Sequence, residues 1–211
     1  MARPSRPSVL TPERLRSIGN AAGVSALELL FVTGLIATVG GIAVPPALEA
    51  LDEHRAAGAA RYLSSRLQRA RMEAVLRSRD VAVRFAESDG GYTFATFVDG
   101  NGNGVLADDI RRGIDAPLGE PERVSDNFRG VDFGALPDLP PVEPGGTAPG
   151  DDPIRLGASN AVTFTAGGTS SSGSVYVLGR GRRQFVIRIY GETGKTRVLR
   201  FEATSRQWRT I

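Results

Sequence analysis

The chain has 211 residues, 41% of them hydrophobic, enough for one domain of ordinary size plus an additional segment. It holds no Cys and one His, His54, which excludes a disulfide framework, a thiolate metal site and nearly every histidine-based catalytic arrangement. The formal net charge of +3 is unevenly spread: residues 1–23 carry four Arg against Glu13, residues 99–152 carry 12 Asp/Glu against 4 Arg, and residues 176–211 carry 9 Arg/Lys against 2 Glu.

The first predicted element lies in AAGVSALELLFVTGLIATVGGIAVPPAL, residues 21–48. Residues 29–48 carry no charge, and as a helix they would span roughly 30 Å, the thickness of a bilayer's hydrocarbon core. The basic leader before this run predicts a single pass with the N-terminus in the cytoplasm and the rest of the chain outside. Glu28 at the start of the run separates three readings. A secretory signal peptide cut near Gly40-Gly41-Ile42-Ala43 has small residues in place but no use for Glu28. A plain signal anchor has no use for it either, because an unpaired carboxylate in hydrocarbon costs several kcal/mol. A cut between Gly23 and Val24 creates an α-amino group less than two helical turns from Glu28, in the same or a neighbouring subunit, and so supplies a cation for it.

Gly23-Val24-Ser25-Ala26-Leu27-Glu28-Leu29-Leu30 resembles the class III signal of type IV pilins and type II secretion pseudopilins. The likeness consists of a Gly before the cut, a Glu in the first turns after it, and a Pro within the apolar helix, here Gly23, Glu28 and Pro45. Val24 departs from the family's usual aromatic, and Ala26 stands where a larger apolar residue is common. The resemblance implies that a prepilin peptidase cleaves after Gly23 and N-methylates Val24, and that Glu28 helps to dock the subunit into a growing filament. Its implied partners are other pilins or pseudopilins, an inner-membrane assembly platform and the peptidase, with the head in the periplasm. Pro45 and Pro46 either end the membrane helix or kink it to allow packing.

Helical periodicity then continues over residues 49–79, with Leu48, Leu51, Ala59, Leu63, Leu67, Ala70 and Ala74 as the apolar stripe and Arg55, Arg66, Arg69 and Arg77 facing elsewhere. The pattern Ala70-Arg71-x-Glu73-Ala74 resembles the GspH/FimT group of minor pseudopilins and minor pilins. A core-facing stripe with solvated Arg accounts for the same letters. Beyond residue 80 the period becomes two. VAVRFAE (81–87) and YTFATFV (92–98) predict a hairpin, and AVTFTA, GSVYVLG, RQFVIRIYG and KTRVLRFE predict four further strands. Residues 134–160, rich in Pro and Gly, predict a surface loop. The expected fold is α+β: a long N-terminal helix, transmembrane and then amphipathic, on an antiparallel sheet, as in pilins.

Two segments are candidate sites. In DGNGNGVLADD (99–109), Asp99, Asn101 and Asn103 alternate before Gly104 as at the start of an EF-hand loop, with Asp108 and Asp109 close by. The twelfth loop position is Ile110, and a polar hairpin tip explains the letters as well as Ca²⁺ does. Arg180, Arg182 and Arg183 cluster in a predicted turn of the basic C-terminal third, where Tyr176, Tyr190 and Trp208 are interspersed. Gly179-Arg180-Gly181-Arg182 resembles the Gly-Arg-x-Arg of DNA-binding minor pilins, although it lies in an internal turn. The competing reading is a basic face that meets the acidic residues 99–152 of a neighbouring subunit or of its own. GETGKT (191–196) lacks phosphate-loop spacing and reads as a hairpin turn, and His54 reads as a solvated helix residue. No catalytic constellation is recognised. The resemblance to the GspH/FimT group implies an H-type minor pseudopilin of a type II secretion system. Its alternatives are a FimT/FimU-type minor pilin, and a membrane-anchored Ca²⁺- or nucleic-acid-binding module that does not polymerise.

Overall fold

A computed structural model describes residues 23–211, so the basic leader read in residues 1–23 lies, except for Gly23, outside the described residues. The described chain falls into two compact units, one up to Val44 and one from Pro45 to Ile211. Helix α1 (Ala26–Arg77) contains both Pro45 and Pro46 and ends at neither. In the first unit every large apolar side chain is exposed, among them Leu30, Phe31, Leu35, Ile36 and Ile42. The Thr33 and Thr38 hydroxyls donate back to the carbonyls of Leu29 and Gly34 at 2.9 and 2.8 Å, so both hydroxyls on that surface are paired.

In the second unit, α1 buries Ala56, Ala59, Ala60, Leu63, Leu67, Ala70 and Ala74 at spacings of three and four. Leu48 and Leu51, expected in the same stripe, are 57% and 44% exposed, so the core face begins one turn later. The reason is contact with the sheet. A Cβ on Gly179 would stand 2.6 Å from the Ala56 methyl, so the helix first meets the sheet there. Alanines along this face let the backbone of α1 come close.

The chain continues as β1 (Val81–Ser88), β2 (Gly91–Val98), α2 (Ala107–Arg111), β3 (Ala116–Pro117), α3 (Val124–Asn127), β4 (Val131–Phe133), β5 (Ile154–Arg155), β6 (Ala161–Phe164) and β7 (Gly173–Gly179). A 3₁₀ turn (Arg180–Arg182) leads to β8 (Arg183–Tyr190), β9 (Lys195–Glu202) and β10 (Gln207–Thr210). One antiparallel sheet has the order β3-β2-β1-β6; the other has β10-β9-β8-β7-β4, with β5 beside β4 on the same edge of β7. The hairpin expected around Asp89-Gly90 is present, closed by the Ser88↔Gly91 pair. The α+β architecture expected from the sequence is the one observed.

The main core joins the α1 stripe to Val81, Val83 and Phe85 of β1 and to Val175, Val177, Phe185, Ile187 and Ile189 of β7 and β8. Alternate residues of the same strands point the other way, and Tyr176, Val186 and Leu199 form a second cluster with Leu139. Leu136, Val142, Phe201 and Trp208 pack against it. Residues 134–143 are therefore more than a surface loop: they roof the outer face of the larger sheet. Gln184 fastens this roof, accepting from the Leu136 N–H at 2.9 Å and donating to the Gly134 carbonyl at 3.0 Å.

Candidate functional site

Gly23, Val24 and Ser25 precede α1 and are not helical. The Ser25 hydroxyl accepts the Glu28 N–H at 3.1 Å, so the cap of the helix is the residue that follows Val24. Ser25 and Glu28 thus carry an N-cap spacing, a start signal that the reading of Glu28 alone overlooks. The bond expected to be cut lies in chain that is not committed to a helix, and Glu28 is exposed. Pro45 is also exposed. Past it, Arg71 of the Ala70-Arg71-x-Glu73-Ala74 pattern donates its Nε to the Gly168 carbonyl at 2.8 Å. Ala70 and Ala74 are buried, and Glu73 pairs with Arg77 at 2.9 Å. The pattern ties the end of α1 to the turn after β6.

The 99–109 segment closes on itself. Buried Asp99 accepts the N–H groups of Asn101 and Gly102 through Oδ1, at 3.1 and 2.8 Å, and that of Gly104 through Oδ2 at 2.9 Å. Burial pushes its carboxyl up, but the N–H donors of Gly104, Gly102 and Asn101, with Arg79, outweigh this and hold it below the usual range. Asp109, also buried, accepts the side-chain amides of Asn103 and Asn101 at 2.9 and 3.1 Å and pairs with Arg112. The Asn103 amide first, and then Asn101, hold its carboxyl low. Asp108 instead faces solvent and pairs with Arg111. A further buried carboxylate, Asp115, takes the Gly100 and Leu106 N–H groups at 3.0 and 2.9 Å. Asp115 had no signal in the sequence, because its partners are backbone groups on a loop without periodicity. With Asn101 and Asn103 turning amide hydrogens toward Asp109, the carboxylates act as acceptors that knot the loop. Among the described residues no group of three His, Cys, Asp or Glu is placed to hold a metal ion.

The structure separates the members of the arginine cluster. Arg183 is half-buried and lies 3.4 Å from Glu53 and 3.6 Å from Glu49. Glu53 also binds Arg200 at 3.0 Å, and Glu202 binds Arg209 at 2.8 Å. Arg180 and Arg182 are exposed. Elsewhere the basic third meets the acidic stretch of its own chain. Arg188 grips Glu143 with two hydrogen bonds of 3.2 and 3.0 Å and holds that carboxyl below its usual range. Arg206 donates to the Asp138 carbonyl, and the Trp208 indole N–H donates to the Pro140 carbonyl. Glu49 and Glu53 escaped notice in the sequence because their partners lie more than a hundred residues away.

These features sit in a recognisable class, an apolar helix leading into an α+β head. The family model described as Type II transport protein GspH matches residues 59–194, and the chain belongs to that family. A curated relative, the pilin-like protein PilA1 of Thermus thermophilus, is 41% identical over 85 residues, which is 38% of this chain and 50% of that protein. The chain thus spans about half the length of the curated relative it matches. Two solved structures of the minor pseudopilin EpsH from the type 2 secretion system of Vibrio cholerae are similar at 15% and 11% identity, with TM-scores of 0.43 and 0.37. The likeness covers 69% and 75% of this chain and 97% and 94% of those.

Proposed function

We propose that the chain is an H-type minor pseudopilin, a structural subunit of a type II secretion pseudopilus and not an enzyme. The observation that carries this reading is the fully exposed apolar helix after a non-helical Gly23–Val24 bond, with Glu28 one turn in. In this reading a prepilin peptidase cuts after Gly23 and methylates the Val24 amine. The helix holds the subunit in the inner membrane with the head in the periplasm. On assembly, apolar helices of neighbouring subunits replace lipid around residues 29–48. Glu28 then needs a cation, because an unpaired carboxylate in an apolar surround costs several kcal/mol, and the new α-amino group of a subunit is that cation. The kinship with a pilin-like protein supports a second reading, a minor pilin of type IV pili.

The test is a gentle cross-link and pull-down of the native protein from its own membranes, with wild type beside Glu28→Ala. Recovery with a major pseudopilin and the secretion platform, lost in Glu28→Ala, is the expected result. Recovery with a type IV major pilin moves the assignment to the second reading. Recovery without any pilin-type companion overturns both and leaves a membrane-anchored module that does not polymerise.

A further inference from the structure

One end of the head carries more exposed arginine than its acids neutralise, and it is the end where the chain enters from the apolar run. Three connections converge there. The β7–β8 turn holds Arg180 and Arg182; the β9–β10 turn holds Arg206; and the segment before β4 holds Arg129, beside Arg180 because Val131 pairs with Gly179. The side chain of Arg180 lies across Gly130, whose φ of +80° and missing Cβ make room for it. Arg182, Arg183, Arg200 and Arg206 line a groove of about 500 Å³ with Glu53 and Glu202.

The carboxylates at this end are largely spoken for. Asp52 pairs with Arg55, Glu49 and Glu53 with Arg183, Glu53 also with Arg200, and Glu202 with Arg209. The Asp138 carboxylate lines the groove without an ion-pair partner among the described residues, although Arg206 donates to the Asp138 carbonyl. Asp126 and Asp132 lie near the Arg180 turn, where Ser125 and Asp132 share a hollow with Gly130 and Arg180. Against these three stand four exposed guanidiniums, Arg129, Arg180, Arg182 and Arg206, none within ion-pair distance of a described carboxylate. Backbone conformation points the same way. Arg182 and Arg206 sit at the tips of their turns with φ of 60° and 52°, a region that Gly or Asn enters at lower cost. Two separate turns thus each hold an arginine where the backbone disfavours one.

We propose that this arginine rim docks the head onto the anionic phospholipid headgroups of the membrane that holds the apolar helix. The inference rests on reading residues 29–48 as membrane-spanning. Glu53, on the groove wall, follows Leu48 by five residues, or about 7.5 Å of helix. That distance is comparable to the headgroup layer, roughly 5–8 Å on each side of the hydrocarbon core. Leu48 and Glu53 both belong to the second unit, so this spacing along α1 is a property of that unit alone. Phosphate on a planar surface suits several guanidiniums spread over neighbouring turns, each of which binds it in a forked geometry. Docking holds an unassembled subunit against the bilayer, and leaving the membrane for a filament requires giving these contacts up.

The test uses the full chain in nanodiscs. Because the chain has no Cys, Ser205→Cys gives a single labelling position on the β9–β10 turn. Energy transfer from a dye there to headgroup-labelled lipid is compared in phosphatidylcholine discs and in discs with added phosphatidylglycerol, at low and high salt. High transfer is expected only with phosphatidylglycerol, falling as salt rises. Each arginine near an anionic surface is worth roughly fivefold in partitioning. Replacing Arg129, Arg180, Arg182 and Arg206 by Gln therefore lowers the docked-to-free ratio about a hundredfold or more. Transfer that ignores lipid charge and salt in the wild-type chain overturns the proposal without reliance on any variant. Failure of the chain to elute with the discs overturns the membrane-span reading and the proposal with it, and is distinguished by that step. Duplex DNA bound in phosphatidylcholine discs, lost in the Gln variant and with no lipid-charge effect, overturns the lipid assignment in favour of nucleic acid.

Discussion

Two stretches of α1 have opposite fates: residues 26–44 carry one charged residue, Glu28, and residues 56–74 carry five, Arg61, Arg66, Arg69, Arg71 and Glu73. Residues 26–44 expose Leu, Ile, Val and Phe on every side, whereas residues 56–74 bury one stripe of Ala and Leu and expose Arg61, Arg69 and Met72. Both the amount of hydrophobicity and its arrangement separate them. A helix that is apolar all round has no preferred direction in which to bury itself, so its partner must surround it, as lipid or a bundle of like helices does. A helix with a stripe finds its partner on one side, and here that partner is the pair of sheets. The choice of Ala over larger residues in the stripe matters too, since it brings the helix backbone within reach of Gly179.

The largest effect expected from this contrast comes from the same kind of substitution made in both stretches. Leu67→Ala empties a fully buried position and costs about 2–5 kcal/mol of head stability. Leu35→Ala removes more than half-exposed apolar surface and leaves the head's melting temperature unchanged. Thermal melts of the full chain in one detergent check the pair, and equal shifts break the distinction between the two stretches.

A smaller effect tests whether the acidic loop is a knot. Asp99→Asn trades a charged acceptor of three N–H groups for a neutral one and costs about 1–3 kcal/mol. With the loop tied by its own donors, added Ca²⁺ leaves the melting temperature of wild type where a chelator leaves it. A rise with Ca²⁺ shows instead that the ion displaces the asparagine amides.

The smallest effects are in pH dependence. Asp99, Asp109 and Glu143 have carboxyls held below their unfolded values. Their contribution is complete above the unfolded pKa, about 4, and is lost as pH falls through the lower folded values. Melting temperature is therefore expected to drop below about pH 4. Asp132 has the opposite sign. Burial beside the β1–β2 turn raises its pKa despite the Phe133 N–H and Arg123, so its ionisation weakens the fold as pH rises through the folded value. Asp132→Asn is expected to raise stability near neutrality by at most about 1 kcal/mol. Loss of stability in that variant reverses the sign assigned to this carboxylate.

Much of the architecture was legible because it rests on local periodicity. The stripe from Ala59 to Ala74, the hairpin at Asp89-Gly90 and the strands β6 to β9 all follow from spacing of apolar residues over short windows. β3, β4 and β5 did not, since strands of two or three residues carry too little pattern to stand out, and β10, with Trp208 as its one apolar residue, has no alternation to mark it. At the candidate sites the residue types were visible and their engagements were not. Asn101 and Asn103 were read only as candidate oxygen ligands, and the fold shows in addition that their side-chain amides reach Asp109. Arg180, Arg182 and Arg183 looked like one cluster, and Glu49 and Glu53 draw Arg183 out of it.

By itself the sequence determined an apolar helix without a polar face, a Glu at its start, an antiparallel head and a strong charge asymmetry, all properties of neighbouring residues. Only the tertiary structure decided which charges remain free. Pairing joins Glu53 to Arg200 and Glu143 to Arg188 across long stretches of chain, and it leaves Arg180 and Arg182 unpaired among the described residues. The physical reason is range: hydrophobic period acts over one or two turns, whereas an ion pair forms wherever the fold brings two side chains within about 4 Å.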